Sequence, residues 1–161
     1  PPHLAGELFR QLGRVDMTHV PYKGSVPALT DLIGGNVTLM FPNTLSAMPQ
    51  VRSGRLRGLA VSTAKRVGAA PELPTVAEAG LPGFDVSVWA GLMAPAGVAP
   101  DIIARVSREL VRILALADVR ERMAAEGAEL MASDAAQFAD FIAAETGRWA
   151  KVVKAAGIRA E

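Results

Sequence analysis

VPYKGSVPALTDLIGGNV, residues 20–37, contains the transition from a strand to a helix on which the fold assignment depends. Residues 17–20 predict a short apolar strand, and residues 27–33 predict a helix with Ser25 as its N-cap and Gly34 at its end. Between these elements lies a Tyr-Lys-Gly-Ser loop with one aromatic, one basic and one hydroxyl side chain. The loop either binds a ligand or simply connects a strand to a helix.

The elements around this stretch alternate between strand and helix. Strands are predicted at residues 17–20, 37–41 and 56–61, and helices at residues 27–33 and 45–52. A step of about 20 residues from strand to strand is typical of right-handed parallel crossovers. Because parallel strands end at the same edge of a sheet, we expect the loops after the three strands to gather there, where open α/β sheets bind ligands.

The second part of the chain predicts long helices. They cover residues 100–116, 119–126 and 134–156, and a strand-like run at residues 129–131 precedes the last helix, for which Ser133 is the expected N-cap. The apolar stripe of the last helix consists of Phe138, Phe141, Ile142, Trp149, Val152 and Val153. This part of the chain is therefore expected to pack through one apolar helix face.

Composition excludes several classes of function. The 161 residues carry a net charge of +1, which gives no electrostatic footprint for nucleic acid. With no cysteine, the chain has no thiolate nucleophile, disulfide or Cys-based metal site. Neither His3 nor His19 lies in a metal-binding or catalytic motif, so no metal or cofactor is expected. The start at Pro1 without methionine favours a processed product or a fragment.

Polar residues follow each of the three predicted strands. Unpaired N–H groups at a helix N-terminus suit a carboxylate, and glycine allows a ligand to approach the backbone closely. Asp31, in the middle of the first of these helices, is expected to be exposed. The candidate ligand-binding residues are Tyr22, Lys23, Gly24, Ser25, Asn43, Ser46, Ser62 and Thr63. Together they indicate a site for a small anion, although each loop alone is also consistent with a plain turn.

Four blocks of sequence resemble the tripartite tricarboxylate transporter substrate-binding family, also called Bug-type receptors. In chain order they are HVPYKGSVPALTDLIGGNVTLMF, SGRLRGLAVSTAKR, PELPTVAEAGLPGFDVSVWAGLMAPAGVAP and FADFIAAETGRWAKVVKAAGI. The resemblance extends over the whole chain but covers only the C-terminal half of such receptors. Carried over from the family, the ligand-facing residues are Tyr22, Lys23, Gly24, Ser25, Asn43 and Ser46, whereas Ser62 and Thr63 follow from strand geometry more than from the family motif.

The resemblance implies a periplasmic solute-binding protein, not an enzyme. Such receptors have two α/β lobes that close on a small mono- or dicarboxylate and deliver it to the permease subunits in the membrane. Residues 1–90 would form most of the second ligand-binding lobe, with a parallel sheet over residues 1 to about 88. Residues 91–161 would return as helices to a first lobe whose sheet is incomplete. Because this exposes apolar helix faces, we expect a homodimer, a swapped assembly or altered helix packing.

Two other functions are consistent with the residues alone. One is an effector-sensing domain of a cytosolic regulator, since similar two-lobed folds serve there. The other is an α/β enzyme acting on a carboxylated or phosphorylated metabolite, for which Lys23 is the available reactive side chain. A DNA-binding segment would indicate the first, and turnover lost in a Lys23→Ala variant would indicate the second.

Overall fold

The computed structural model describes residues 2–125 and 128–158. The chain divides into two compact units, Pro1–Val88 (unit 1) and Trp89–Glu161 (unit 2). The described helices of unit 1 are α1 (Pro2–Gly13), α2 (Ser25–Ile33) and α3 (Thr44–Arg52). Those of unit 2 are α4 (Pro100–Leu114), α5 (Ala117–Ala125) and α6 (Ala135–Ala156). None of these helices is long and apolar enough to cross a bilayer.

The predicted helices form, but two of the predicted caps are wrong. Gly24, not Ser25, is the N-cap of α2, and Ser25 is the first helical residue. At α6 the N-cap is Asp134, not Ser133, and it forms a capping box with Gln137. A carboxylate reaches the N3 amide more favourably there than the neighbouring hydroxyl, because it is charged and lies at the positive end of the helix.

The parallel sheet expected in unit 1 is not formed by the described residues. Residues 37–41 and 56–60 form no strand, and one isolated parallel bridge joins Val61 to Thr75. Residues 129–131 of unit 2 also form no strand. Extended segments become strands only when a neighbour lies at hydrogen-bonding distance. The parallel sheet and the assignment of the two units to lobes therefore remain predictions, and residue 126, the predicted end of α5, lies outside the described residues.

The core of unit 1 is built around three phenylalanines. Phe9 of α1 lies with its ring centroid 5.8 Å from that of Phe41 and 6.2 Å from that of Phe84, which is only 1% exposed. The imidazole of His3 stacks on that of His19, with 3.7 Å between the ring centroids and 2° between the planes. The other buried apolar residues of this unit are Ala5, Ala28, Met48, Ala70, Val76 and Val86. The stacking of His3 on His19 holds α1 against the segment that leads to the first loop.

Unit 2 packs around an aromatic cluster at the start of α6. The ring centroid of Trp89 lies 5.7 Å from that of Phe138 and 5.4 Å from that of Phe141, edge to face in both pairs. α4 contacts both α5 and α6. Val152 is the buried residue of α6, and Ile102 and Val106 of α4 are about half exposed. The amphipathic helices of unit 2 thus leave much of their apolar surface uncovered.

Candidate functional site

The first loop approaches α2 through a glycine that has a conformation other residues avoid. Gly24 has φ 122° and ψ 173°, a backbone region open essentially to glycine alone. Lys23, Gly24 and Ser25 are exposed, and Tyr22 is half-buried. No side chain caps α2, and its first turn contains no acidic residue. Within the described chain, the amides of Gly24, Ser25 and Val26 donate no hydrogen bond, so three donors at a positive helix end are open.

Tyr22 is held by a residue that the sequence analysis placed at the surface. Its hydroxyl donates a hydrogen bond of 2.8 Å to Oδ2 of Asp31, and Nδ2 of Asn36 donates to Oδ1 of the same carboxylate at 3.2 Å. Asp31 is half-buried, so the expectation that it is exposed was wrong. The hydrogen bond to Asp31 raises the pKa of Tyr22. Asp31 therefore anchors the loop, and its position two helical turns after the loop was the available sequence signal.

The second loop repeats this arrangement at α3. Asn43 is the N-cap, but its side chain makes no capping hydrogen bond, and the first turn again lacks an acidic residue. Oγ of Ser46 donates to the carbonyl of Asn43 at 2.9 Å, so this hydroxyl braces the turn. The amides of Thr44 and Leu45 donate no hydrogen bond within the described chain. α3 thus presents open amides beside an uncommitted carboxamide.

The third loop is tied down by its own hydroxyl groups. Oγ of Ser62 donates to the carbonyl of Val86 at 2.7 Å, and Oγ1 of Thr63 donates to the carbonyl of Lys65 at 2.7 Å. Each hydroxyl group thus donates its single hydrogen to a backbone carbonyl, while its oxygen can still accept a hydrogen bond. These two residues can accept hydrogen bonds from a ligand more readily than they can donate them.

The sequence analysis missed a hydrogen-bonded turn at residues 75–78, next to the third loop. Oε2 of Glu78 accepts from the amide of Thr75 at 2.8 Å and from Nε of Arg66 at 2.9 Å, while Oγ1 of Thr75 accepts from the amide of Glu78. The Thr75 amide and then the Arg66 guanidinium lower the pKa of Glu78. The Thr-x-x-Glu spacing is a capping-box signature and was readable in the sequence.

The structure brings only some of the candidate residues together. Asn43, Ser62 and Thr63 line one cavity of about 860 Å³ in unit 1, together with Thr44. The remaining candidates, Tyr22, Lys23, Gly24, Ser25 and Ser46, lie outside the lining of this cavity. Two of the three loops therefore share a cavity, and the role of all eight residues in binding remains a prediction.

Chemically, the starts of α2 and α3 favour an anion. Open amides and a helix dipole attract negative charge, and no acid in either first turn opposes it. Among residues 2–125 and 128–158, no three His, Asp or Glu side chains gather in a group that could hold a metal ion. The arrangement is suited to holding a carboxylate by hydrogen bonds.

Comparison with protein families gives one match over nearly the whole chain. The model described as the tripartite tricarboxylate transporter family receptor matches residues 2–158. Protein BugT of Bordetella pertussis (strain Tohama I) is 40% identical over 157 residues, which make up 98% of this chain and 48% of BugT. The chain therefore spans about half the length of this relative.

Two solved structures from Rhodopseudomonas palustris are also similar. Rpa4515, solved with adipate, superposes with a TM-score of 0.86 at 38% identity, over 98% of this chain and 52% of that chain. MatC (Rpa3494), solved with bound malate, gives a TM-score of 0.76 at 34% identity, over 94% and 53% of the two chains. Both similarities extend across unit 1 and unit 2.

Proposed function

The chain belongs to the tripartite tricarboxylate transporter receptor family, and from this premise we propose that it forms one wall of a periplasmic binding site for a small carboxylate. The family is one of solute-binding receptors, not of enzymes. The ligand would be a mono- or dicarboxylate, and the permease subunits of a tripartite transporter would receive it.

The observation that carries this proposal is the pair of open helix starts in unit 1. α2 and α3 begin with amides that donate no hydrogen bond within the described chain, without a side-chain cap and without an acidic residue in the first turn. A carboxylate supplies the acceptors that these amides lack and complements the helix dipole. The adipate and malate in the two relatives are carboxylates of this kind, which supports the assignment of ligand class.

In this proposal the protein binds its ligand without covalent chemistry. The amides at the start of α2 and α3 hold carboxylate oxygens, Asn43 adds a carboxamide, and Tyr22 keeps the first loop in place through Asp31. In a two-lobed receptor the ligand contacts the facing half only when the lobes are closed. Its binding therefore shifts the population toward the closed state by the difference in affinity between the two states.

The test is to place a fixed negative charge where the ligand carboxylate would bind. Ser25→Asp and Asn43→Asp each supply such a charge at the start of α2 or α3, which favours the helix but repels an anion. Binding of adipate and of malate is measured by calorimetry, with the chain alone and with the chain mixed with the N-terminal half of Rpa4515. We expect each variant to weaken binding by at least about tenfold, since charge-assisted hydrogen bonds are lost and like charges meet.

The matched control is Ala135→Asp, which adds the same charge at the first residue of α6. Its affinity for either acid should equal that of the unaltered chain. The proposal is overturned if neither the chain alone nor its mixture with the N-terminal half of Rpa4515 binds adipate or malate. It is also overturned if the Ser25→Asp and Asn43→Asp variants bind these acids as tightly as the control does.

A further inference from the structure

The two hydroxyl groups of the third loop can accept hydrogen bonds from a ligand but not donate them. Oγ of Ser62 lies 2.7 Å from the carbonyl oxygen of Val86, and Oγ1 of Thr63 lies 2.7 Å from that of Lys65. A carbonyl oxygen can only accept, so each hydroxyl group must donate its single hydrogen to it. The lone pairs that remain accept from a donor and repel a carboxylate oxygen.

The backbone of the third loop keeps these hydroxyl groups in this orientation. The amide of Val86 donates to the carbonyl of Ser62 at 2.7 Å, which pairs these two residues a second time. Two residues further on, the amide of Ala64 donates to Oδ1 of Asp85 at 3.0 Å. A ligand that needed a donor from this loop would first have to break a short internal hydrogen bond, which leaves a carbonyl without its partner.

The second loop offers the opposite chemistry in the same cavity. The carboxamide of Asn43 makes no capping hydrogen bond, and the amide of Thr44 donates none within the described chain. Both residues line the cavity of about 860 Å³ together with Ser62 and Thr63. The start of α3 therefore suits a carboxylate, whereas the third loop suits a hydrogen-bond donor of the same ligand.

Charge narrows the kind of donor. Among the described residues that line this cavity, the charged ones are Arg55 and Arg57, and no Asp or Glu joins them. Two guanidinium groups favour a carboxylate and oppose an ammonium group, which would lose hydration without gaining an anion in exchange. The donor that fits these surroundings is a neutral hydroxyl group.

We propose that the third loop selects a hydroxycarboxylate, because Ser62 and Thr63 accept the hydrogen of a ligand hydroxyl group while the start of α3 holds a carboxylate of the same molecule. This inference rests on the proposed function and adds to it a subclass of ligand and the residues that recognise it. A plain dicarboxylate would leave both acceptors without a donor. A site built to hydrogen-bond a hydroxyl group discriminates strongly against the analogue that lacks it.

The experiment compares three four-carbon dicarboxylates that differ at one carbon. Malate has a hydroxyl group there, succinate has hydrogen, and aspartate has an ammonium group. Calorimetry measures the affinity of each for the chain alone and for the chain mixed with the N-terminal half of Rpa4515. We expect malate to bind at least about tenfold more tightly than succinate, and aspartate to bind no more tightly than succinate.

The double variant Ser62→Ala, Thr63→Val removes both acceptors. It should bring the ratio of malate to succinate affinity close to one while changing the affinity for succinate by less than about threefold. General damage to the fold would weaken both acids alike, so the ratio separates recognition of the hydroxyl group from a purely structural role. The matched control is Ser53→Ala, whose hydroxyl group also donates to a backbone carbonyl, that of Gln50 at 3.1 Å, but lies outside the lining of the cavity. It should keep the ratio of the unaltered chain.

The outcomes separate this inference from the proposed function. Equal affinities of the unaltered chain for malate and succinate overturn the inference and leave the proposed function standing, whereas binding of none of the three acids overturns both. Tighter binding of aspartate than of malate also overturns the inference, as does a double variant that keeps the ratio of the unaltered chain.

Discussion

The first amides of α6 in unit 2 are capped by side chains, whereas those of α2 and α3 in unit 1 are not. Every helix begins with amides that lack an intrahelical partner. At α6 the protein satisfies them itself, because Asp134 accepts from the amide of Gln137 and the side chain of Gln137 accepts from the amide of Asp134. At α2 and α3 no side chain does so. The comparison indicates that a capped helix N-terminus stabilises the fold, whereas the uncapped amides of α2 and α3 are available to bind a ligand.

The largest expected effect is a loss of stability of unit 2 when the packing against Phe138, in the first turn of α6, is disturbed. A Cβ atom on Gly91 would overlap Cζ of Phe138, so Gly91→Ala must displace this ring. We expect unit 2 to lose about 2 kcal/mol of stability, as is common for overpacked sites. Both tryptophans lie in unit 2, so urea unfolding followed by tryptophan fluorescence reports on it. Gly147→Ala, where a Cβ meets nothing within 4 Å, is the control.

The next largest expected effect is the loss of stability on removal of the capping box of α6. Asp134→Ala removes the acceptor for the Gln137 amide, and we expect a loss of about 1 kcal/mol, measured by the same fluorescence experiment. Asp134→Asn keeps a capping acceptor and should restore most of the loss. Equal stability of the alanine variant and the unaltered chain would show that the cap does not contribute.

A pH effect should distinguish the two units, since both histidines lie in unit 1. Burial, and then the neighbouring His3, lower the pKa of His19 from its ordinary value of 6.5, with Glu7 opposing. As pH falls below 6.5 the unfolded chain takes up the proton first, so unit 1 loses stability until the pH passes the lowered pKa. The protection of the α1 amides, taken as the exchange rate relative to the intrinsic rate at each pH, should therefore fall over this range, and His19→Gln should reduce the dependence.

A smaller, local effect is expected at the first loop. Tyr22→Phe removes the hydroxyl that donates to Asp31, so the amides of residues 22–26 should exchange faster while those of α6 do not change. The hydrogen bond to Asp31 raises the pKa of Tyr22, so this contribution is present below its ordinary value of 10.0 and is lost as pH rises through the raised value. Titration of tyrosine absorbance measures this, and an unshifted midpoint would contradict the proposed anchor.

The smallest expected effect on stability is at the N-cap of α3. Because the side chain of Asn43 makes no capping bond, Asn43→Ala should change stability by only about a few tenths of a kcal/mol. Exchange of the α3 amides is the measurement. A loss as large as that for Asp134→Ala would mean that the start of α3 is capped in solution, and the contrast between α3 and α6 would disappear.

Sequence was sufficient for features that depend on local chemistry. The period of apolar residues and the position of Gly34 predicted α2 within two residues of its observed start. It was insufficient for choosing between adjacent residues as caps, since Gly24 and Ser25 are both favourable N-caps and the positive φ of Gly24 decides between them. Nor could it assign the acceptor for Tyr22, because the burial of Asp31 depends on the path of the chain between them.

The sequence could not predict strand pairing, for a different reason. The runs at residues 37–41 and 56–61 have the composition of buried strands, yet composition does not specify which segments they pair with. The bridge from Val61 to Thr75 joins two segments of which only the first was predicted as a strand. The candidate site follows the same division. The sequence predicted that all three loops would gather at one edge, whereas only Asn43, Ser62 and Thr63 of the eight candidates line one cavity.

The conformation of Gly24 has a stereochemical consequence. Its φ and ψ are the mirror image of those of an ordinary extended L-residue, and the space where a Cβ would point is empty. An L-alanine at this position is strained by the backbone alone, but a D-alanine introduced by chemical synthesis would sit in its preferred conformation. Such a residue would restrict the unfolded chain while leaving the neighbouring amides open. The handedness of a residue introduced at this position would thus decide whether the backbone at this helix start is strained.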